Sequence, residues 1–375
     1  MTGEARHVYV HVPFCARRCS YCDFAIAVRK SVPAEQFART LRSELTTRLG
    51  TAAEPQPIDT LYLGGGTPSH LGADGITKTL DVLREFFVWH ADAEVTLEAN
   101  PDDVTAAAAA AWRAAGISRV SLGAQSFDPR ALEWMHRSHS ADQIDQAIDV
   151  IRDTPFASWS FDLIFALPAS IGREWSRDLA LALEKEPPHL SLYGLTVESG
   201  TPLAKWSARG DVLPADESAY EYEFLDAHQR AAAHGFEHYE VSNFAAPGHR
   251  ARHNQSYWAG VPYLGFGPSA HGFDGASRRW NRSAYADWQR HVEAGDDPID
   301  GSEILSDAER TTEAVYLGLR TTRGLSVGPV EIAVARPWID AGWAILMQNH
   351  LTLTPAGWLR LDSLAAALTP VTTHT

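Results

Sequence analysis

The chain has three cysteines among 375 residues, and all three stand in one window of eight: Cys15, Cys19 and Cys22, within HVPFCARRCSYCDFAIAV at 11–28. Three thiolates offered by one loop can bind a metal. A closed zinc site wants four ligands, and with no fourth cysteine a histidine would have to complete it, His11 being the nearest. An iron–sulfur cluster held by three cysteines is the alternative, and it leaves one iron open for a further ligand. Inert structural thiols, by contrast, are usually dispersed through a core.

Other residues that could do chemistry fall at the ends of strand-like runs. LGGGTPS brings Gly64, Gly65 and Gly66, which let a backbone approach a ligand or simply make a tight turn, followed by the hydroxyl of Thr67; no lysine follows, so this is not a P-loop. LEANP carries Glu98, SLGAQSF carries Gln125, and FDLIFAL carries Asp162. A carboxylate inside an apolar strand is expensive unless it is paired or faces a polar cavity, so Glu98 and Asp162 are either site residues or partners of a structural cation such as Arg137. His253, in RHNQSYW, is either a hydrogen-bonded core histidine or a ligand. GFGPSA at 265–270 matches G-x-G-x-x-A, but Pro268 and the lack of an expected strand before it argue against a dinucleotide site. Arg278, Arg279 and Arg282 read as a solvated surface run.

The elements that must position these residues alternate. Strands are expected at 7–12, 58–63, 93–99, 117–122, 159–167 and 189–197, with mostly continuous apolar runs of the kind found in buried parallel strands. Helices are expected between them, at about 33–50, 74–87, 102–115, 140–152 and 173–185. Such alternation predicts an α/β fold, an open or partial (β/α)6 barrel, whose function gathers at the carboxyl ends of the strands. After about residue 205 the rhythm changes to a long helix at 215–234, a Trp/Tyr/Gly-rich stretch at 239–273 and a helix at 306–319. NHLTLTPAGWLRL at 349–361 reads as a β-hairpin in a small winged-helix-like module, giving a C-terminal α+β portion. The expected division is 1–205, 206–300 and 301–375. A formal charge of −15 argues against a nucleic-acid-coating role, no run of about 18 apolar residues is long enough to span a bilayer, and the N-terminus lacks a signal-peptide pattern. The expectation is a cytoplasmic protein with no nucleic-acid partner and at most transient membrane contact.

The C-x3-C-x2-C spacing, with Tyr21 before the last cysteine, resembles the signature of the radical S-adenosylmethionine superfamily. YVHVPFCARRCSYCDF, LGGGTPS, TLEANPDD, SLGAQSF, FDLIFALP and HNQSYWAGVPYLGFGPSAHG resemble its coproporphyrinogen dehydrogenase-like branch, in particular the HemW-type haem chaperones, over nearly the whole chain. The resemblance implies a partial (β/α)6 barrel with a helical C-terminal portion and a [4Fe–4S] cluster on Cys15, Cys19 and Cys22. It implies S-adenosylmethionine bound around Tyr9, Tyr21, Gly65, Gly66, Thr67, Glu98, Gln125, Arg137 and Asp162, haem with His253 as its ligand, and a haem-accepting partner protein. The alternative within the same branch is the oxygen-independent decarboxylase of coproporphyrinogen III. That enzyme has a further cysteine where this chain has Phe24, and an N-terminal extension where this chain has a few residues before its first strand, so the resemblance favours the chaperone. A third reading, a scaffold in which the cluster only holds the fold, would leave the strand-end polar residues idle.

Overall fold

The computed structural model describes residues 5–50 and 54–372. Six parallel strands form its frame: β1 (His7–Val12), β2 (Gln56–Gly65), β3 (Phe87–Ala99), β4 (Arg119–Gln125), β5 (Ser158–Phe165) and β6 (His189–Gly194), neighbours in space in the order of the chain. Crossover helices Ala34–Leu49, Gly72–Arg84, Ala106–Ala115, Ala141–Asp153 and Trp175–Glu184 separate them. Local chemistry sets their bounds. Thr105 and Ser140 accept hydrogen bonds from backbone N–H groups of the first turns that follow them, and Gly116 ends the third crossover helix in the left-handed conformation.

The sheet stays open. Leu264–Phe266 pairs parallel with β1 at one edge, and Asn243–Ala245 followed by Glu237–Glu240 extends β6 antiparallel at the other. Residues far along the chain therefore cover both edges of the six-stranded unit, leaving a partial (β/α)6 barrel in a nine-stranded sheet. The strand at 264–266 also corrects the reading of GFGPSA, since its first two residues are themselves a strand.

The strands alternate, where continuous apolar runs were expected. Val8, Val10 and Val12 of β1, Leu61 and Leu63 of β2, Val95 and Leu97 of β3, and Val120 and Leu122 of β4 are buried in the main hydrophobic core. That core also holds Phe37, Leu41 and Leu45 of the first crossover helix and Ile144, Ile148 and Ile151 of the fourth. The intervening residues are polar and point to the other, inner face: Tyr9 and His11, Thr60 and Tyr62, Glu94 and Glu98, Arg119 and Ser121, Ser160 and Asp162. In register they form rows, with Glu98 beside Ser121, Ser121 beside Ser160, and Asp162 beside Ser191. Period-2 patterning of this kind puts one apolar and one polar face on every strand.

Toward the C-terminus a second, three-stranded antiparallel sheet joins His271–Phe273, Ser277–Asn281 and Ile299–Ile304. Arg278, Arg279 and Arg282 lie in and just after its middle strand and are ion-paired, with Glu313 and Glu303, with Asp297, and with Asp287 and Asp300 respectively. The last segment has helices Asp307–Leu319, Pro329–Asp340 and Leu361–Thr372 around a small sheet of Leu325–Ser326, His350–Leu353 and Ala344–Met347. The hairpin is shifted from the expected 349–361. His350–Leu353 pairs with the strand before it, because Thr354 caps a short helix that begins at Pro355.

One buried carboxylate joins the first crossover helix to residues more than 200 positions later. Glu44 is 0% exposed and accepts from Arg48 Nη1 at 2.9 Å, Gly267 N at 2.8 Å, Asn281 Nδ2 at 2.6 Å and Trp288 Nε1 at 3.0 Å. Its oxygens are fully engaged, as a buried charge requires. Glu44→Ala would leave Arg48 buried without its counter-charge and three further donors unpaired. It should destabilise the protein by about 3–5 kcal/mol in urea denaturation, and Glu44→Gln, which keeps the shape and half the acceptors, by less.

Candidate functional site

The cysteine loop leaves β1 and is fixed at both ends and in the middle. Phe14–Cys15 pairs in parallel with Ala27–Val28, closing the loop on itself. Ser20, fully buried, donates its N–H to Met135 O at 3.1 Å and accepts Leu203 N at 2.9 Å, so the centre of the loop is pinned between two other segments. Cys15, Cys19 and Cys22 are free thiols and all three face one cavity of about 500 Å3 at the carboxyl ends of the strands. Thr67 Oγ1 donates to Cys15 Sγ at 3.4 Å and Arg137 Nη1 to Cys19 Sγ at 3.3 Å. Burial pushes the Cys15 thiol up to about 11, against the opposing effect of the Thr67 hydroxyl. Among the described residues no three Cys, His, Asp or Glu side chains come close enough together to hold a single metal ion. His11, the candidate fourth zinc ligand, is committed elsewhere: Nε2 lies 2.9 Å from Ala25 O, to which it donates, and Nδ1 accepts from Tyr9 Oη at 3.2 Å.

The strand ends complete the wall. Gly65, Gly66 and Thr67 line it from β2 and the turn after it, Glu98 from β3, Gln125 from β4 and Asp162 from β5, with Tyr21 and Arg137 beside the cysteines. Gly65 must be glycine: its φ is +116°, and a Cβ there would meet the His11 ring at 2.6 Å. Its N–H donates to Glu98 Oε2 at 3.0 Å while Tyr62 Oη donates to Oε1 at 2.8 Å. Ser121 Oγ donates to the Asp162 carboxylate at 3.1 Å. Neither carboxylate has an ion-pair partner among the described residues. Arg137, the cation expected to serve them, bonds instead to Asn100 Oδ1 at 2.6 Å, Gly123 O at 3.0 Å and Cys19 Sγ. Burial pushes Glu98 up to about 7, with the Tyr62 and Gly65 hydrogen bonds opposing and Asp162 adding to the rise. Burial likewise pushes Asp162 up to about 6, against hydrogen bonds from Ser191 and Ser121. Two carboxylates with only neutral donors, facing open volume, can accept hydrogen bonds from hydroxyl or amino groups of a bound molecule.

Two expected site residues lie elsewhere. Tyr9 sits a layer below the cavity, stacked on Tyr62 with ring centroids 6.1 Å apart, and supports the floor rather than the wall. His253 is 1% exposed at the opposite, N-terminal end of the strands. Its Nδ1 bonds with Thr60 Oγ1 at 2.7 Å, which also meets His7 Nδ1, and its Nε2 with Tyr257 Oη at 2.8 Å. Both ring nitrogens are engaged and burial pushes its pKa down to about 3, so in this arrangement it is a core histidine and not an open iron ligand. Conversely, Asn100, Ser121 and Tyr193 line the cavity and escaped the sequence reading. The alternation of RVSLG and HLSLY is the signal that would have found the last two.

A family model described as "Radical SAM superfamily" matches residues 9–181, the part of the chain that builds the cysteine loop and β1 to β5. The chain is 37% identical over 376 residues to a Mycobacterium tuberculosis protein named "Heme chaperone HemW", covering 98% of this chain and 96% of that one. Its Escherichia coli counterpart of the same name is 34% identical, covering 95% and 96%. A Bos taurus protein named "Radical S-adenosyl methionine domain-containing protein 1, mitochondrial" is 35% identical, covering 85% and 74%. Among solved structures, Escherichia coli coproporphyrinogen III oxidase (HemN), described as a radical SAM enzyme, superimposes with a TM-score of 0.78 at 21% identity, over 98% of this chain and 91% of that one, a likeness of fold. The chain belongs to the HemW family of radical S-adenosylmethionine proteins, a family that implies an iron–sulfur cluster and S-adenosylmethionine.

The raised pKa of Asp162 can be tested without any ligand. With the folded value near 6 and the unfolded one near 3.8, the native state holds this proton more tightly; the associated stability is full below about pH 4 and is lost as pH rises through 6. Asp162→Asn is permanently neutral and escapes that loss. Urea denaturation should show the variant gaining up to about 3 kcal/mol over the parent at pH 8, with the gap closing by pH 4; a gap that does not depend on pH would rule out the mechanism.

Proposed function

We propose that this protein is a haem chaperone: it carries a [4Fe–4S] cluster on Cys15, Cys19 and Cys22, binds S-adenosylmethionine beside it, and hands haem to an acceptor protein in the cytoplasm. The observation that carries the reading is end-to-end similarity to proteins named as haem chaperones, at 37% identity over 98% of the chain. The residues fit the cofactors. Three thiols on one anchored loop are a soft donor set suited to iron–sulfur chemistry, and a cavity of about 500 Å3 lies within the usual range of about 300–1,000 Å3 for cofactor sites. When bound, the cluster supplies the low-potential electron that cleaves the sulfonium of S-adenosylmethionine.

The chain's own residues would then divide the work. Arg137 and Thr67 donate to sulfur and steady the thiolate charge. Glu98 and Asp162 accept hydrogen bonds from the nucleoside, while Gly65, Gly66 and Gln125 allow its close approach and Tyr21 closes the side next to the cysteines. Within this reading residues 1–205 hold cluster and nucleoside, 206–300 carry the HNxxYW motif and most of the haem region, and 301–375 pack beside it and serve for docking. Among the described residues no helix is long and apolar enough to cross a membrane.

Two outcomes are expected from anaerobically reconstituted protein. Cys15→Ala should abolish stable cluster binding, read as iron and sulfide content, while leaving the circular dichroism spectrum of the fold in place. The parent protein should bind haem in a titration, yet release no carbon dioxide from coproporphyrinogen III in the presence of reductant and S-adenosylmethionine. Decarboxylation by that sample would replace the chaperone reading with the oxidase one.

A further inference from the structure

A second cavity, of about 650 Å3, opens between the three-stranded antiparallel sheet, the helix Asp307–Leu319 and the turn after Trp258. It has no part in the cysteine site. Its walls are flat and aromatic: Phe273 and Trp280 project from neighbouring strands of the sheet, and Trp258 and Tyr263 face them. Trp280 can lie across its neighbour strand only because residue 301 is glycine, where a Cβ would come within 2.4 Å of the indole. The HNxxYW helix thus turns His253 inward and presents Tyr257 and Trp258 to this cavity.

Polar groups of two kinds enter the same space. His271 is exposed, stands beside Trp280 with ring centroids 5.9 Å apart and interplanar angle 25°, and has no hydrogen-bond partner for either ring nitrogen among the described residues. Arg310 and Arg323 stand at the rim on the helical side; Arg310 is paired to Asp307, and the Arg323 guanidinium has no partner among the described residues. The two carboxylates present, Glu303 and Glu313, share one cation, Arg278, so that trio keeps a single negative charge, which the Arg323 guanidinium on the helical side offsets.

We propose that this cavity is the haem site, with His271 as an axial ligand to iron, the aromatic walls covering the macrocycle, and Arg323 with Arg310 receiving the propionates. The inference rests on the chaperone reading and adds the place and the ligand. The chemistry matches feature by feature. A large, flat apolar ring is best covered by aromatic faces; iron takes a neutral imidazole with a free nitrogen; guanidinium groups bind carboxylates by paired N–H donors. An open, surface-facing site also suits a cargo that must leave.

The test uses full-length, cluster-loaded protein titrated with ferric haem and, separately, with iron-free protoporphyrin IX, in the parent and in His271→Ala, Arg323→Ala and His253→Ala. His271→Ala should weaken haem binding about tenfold or more and remove the imidazole-ligated absorption spectrum, which added free imidazole should restore, while protoporphyrin binding changes by less than about twofold. Arg323→Ala should weaken both porphyrins alike, by about three- to tenfold. Circular dichroism and cluster iron should be unaltered in both. If His271→Ala keeps the parent spectrum and affinity, or if only His253→Ala alters them, the site is elsewhere and the chaperone reading stands without it. If the parent binds no haem at all, the chaperone reading itself falls and takes this site with it.

Discussion

The inner face of the sheet is polar on every strand, and the rest of the molecule follows from the need to satisfy it. A polar side chain buried without a partner is costly, so each row across the sheet must close its own hydrogen bonds or open onto solvent or a ligand. At the N-terminal end the rows close. Thr60 sits between His7 and His253, Arg119 donates to Ser158, and Glu94 accepts the N–H groups of Arg252 and His253. Moving toward the carboxyl ends, the partners become fewer and neutral, until Glu98 and Asp162 face open volume with hydroxyls and a backbone N–H alone. The cavity is the end of a gradient in polar satisfaction, and the cysteine loop is anchored over it by Ser20.

The position of each parallel strand was legible from short β-branched runs bounded by turn residues, and so was the cysteine loop, because spacing within a single loop is written directly in the chain. What the sequence concealed were the relationships between elements. Reading HVYVHV as a continuous apolar run overlooks that His7, Tyr9 and His11 share one face, and with it the polar interior that makes Tyr62, Ser121 and Tyr193 predictable. Arg137 was visible as a cation near the site, but its partners, Asn100, Gly123 and Cys19, come from three different segments and no local pattern announces them. His253 shows the same limit from the other side. A histidine beside Asn, Tyr and Trp has the composition of a ligand site, and only the tertiary fold reveals that Thr60 and Tyr257 take both its nitrogens.

The segment after β6 does two jobs at once. It covers both edges of the open sheet, which would otherwise present unpaired N–H and C=O groups. It also builds the small sheet whose outer face carries Trp280 and His271. Edge covering and the second cavity come from adjoining stretches of one segment: Leu264–Phe266 pairs with β1, while Tyr263 just before it and His271 just after it line the cavity.

The four bonds of Glu44 impose an order on biosynthesis. The carboxylate belongs to the helix that follows β1, while the indole that completes its set lies 244 residues later. At a synthesis rate of about 5–20 residues per second that is a delay of roughly 10–50 s, during which β1 has no neighbour on one side and a charge destined for the interior has no counterpart beyond Arg48. Until Leu264–Phe266 has been made, the strand that leads into the cysteines therefore has no partner on its outer side, and the edge of the sheet is completed only by residues more than 200 positions downstream.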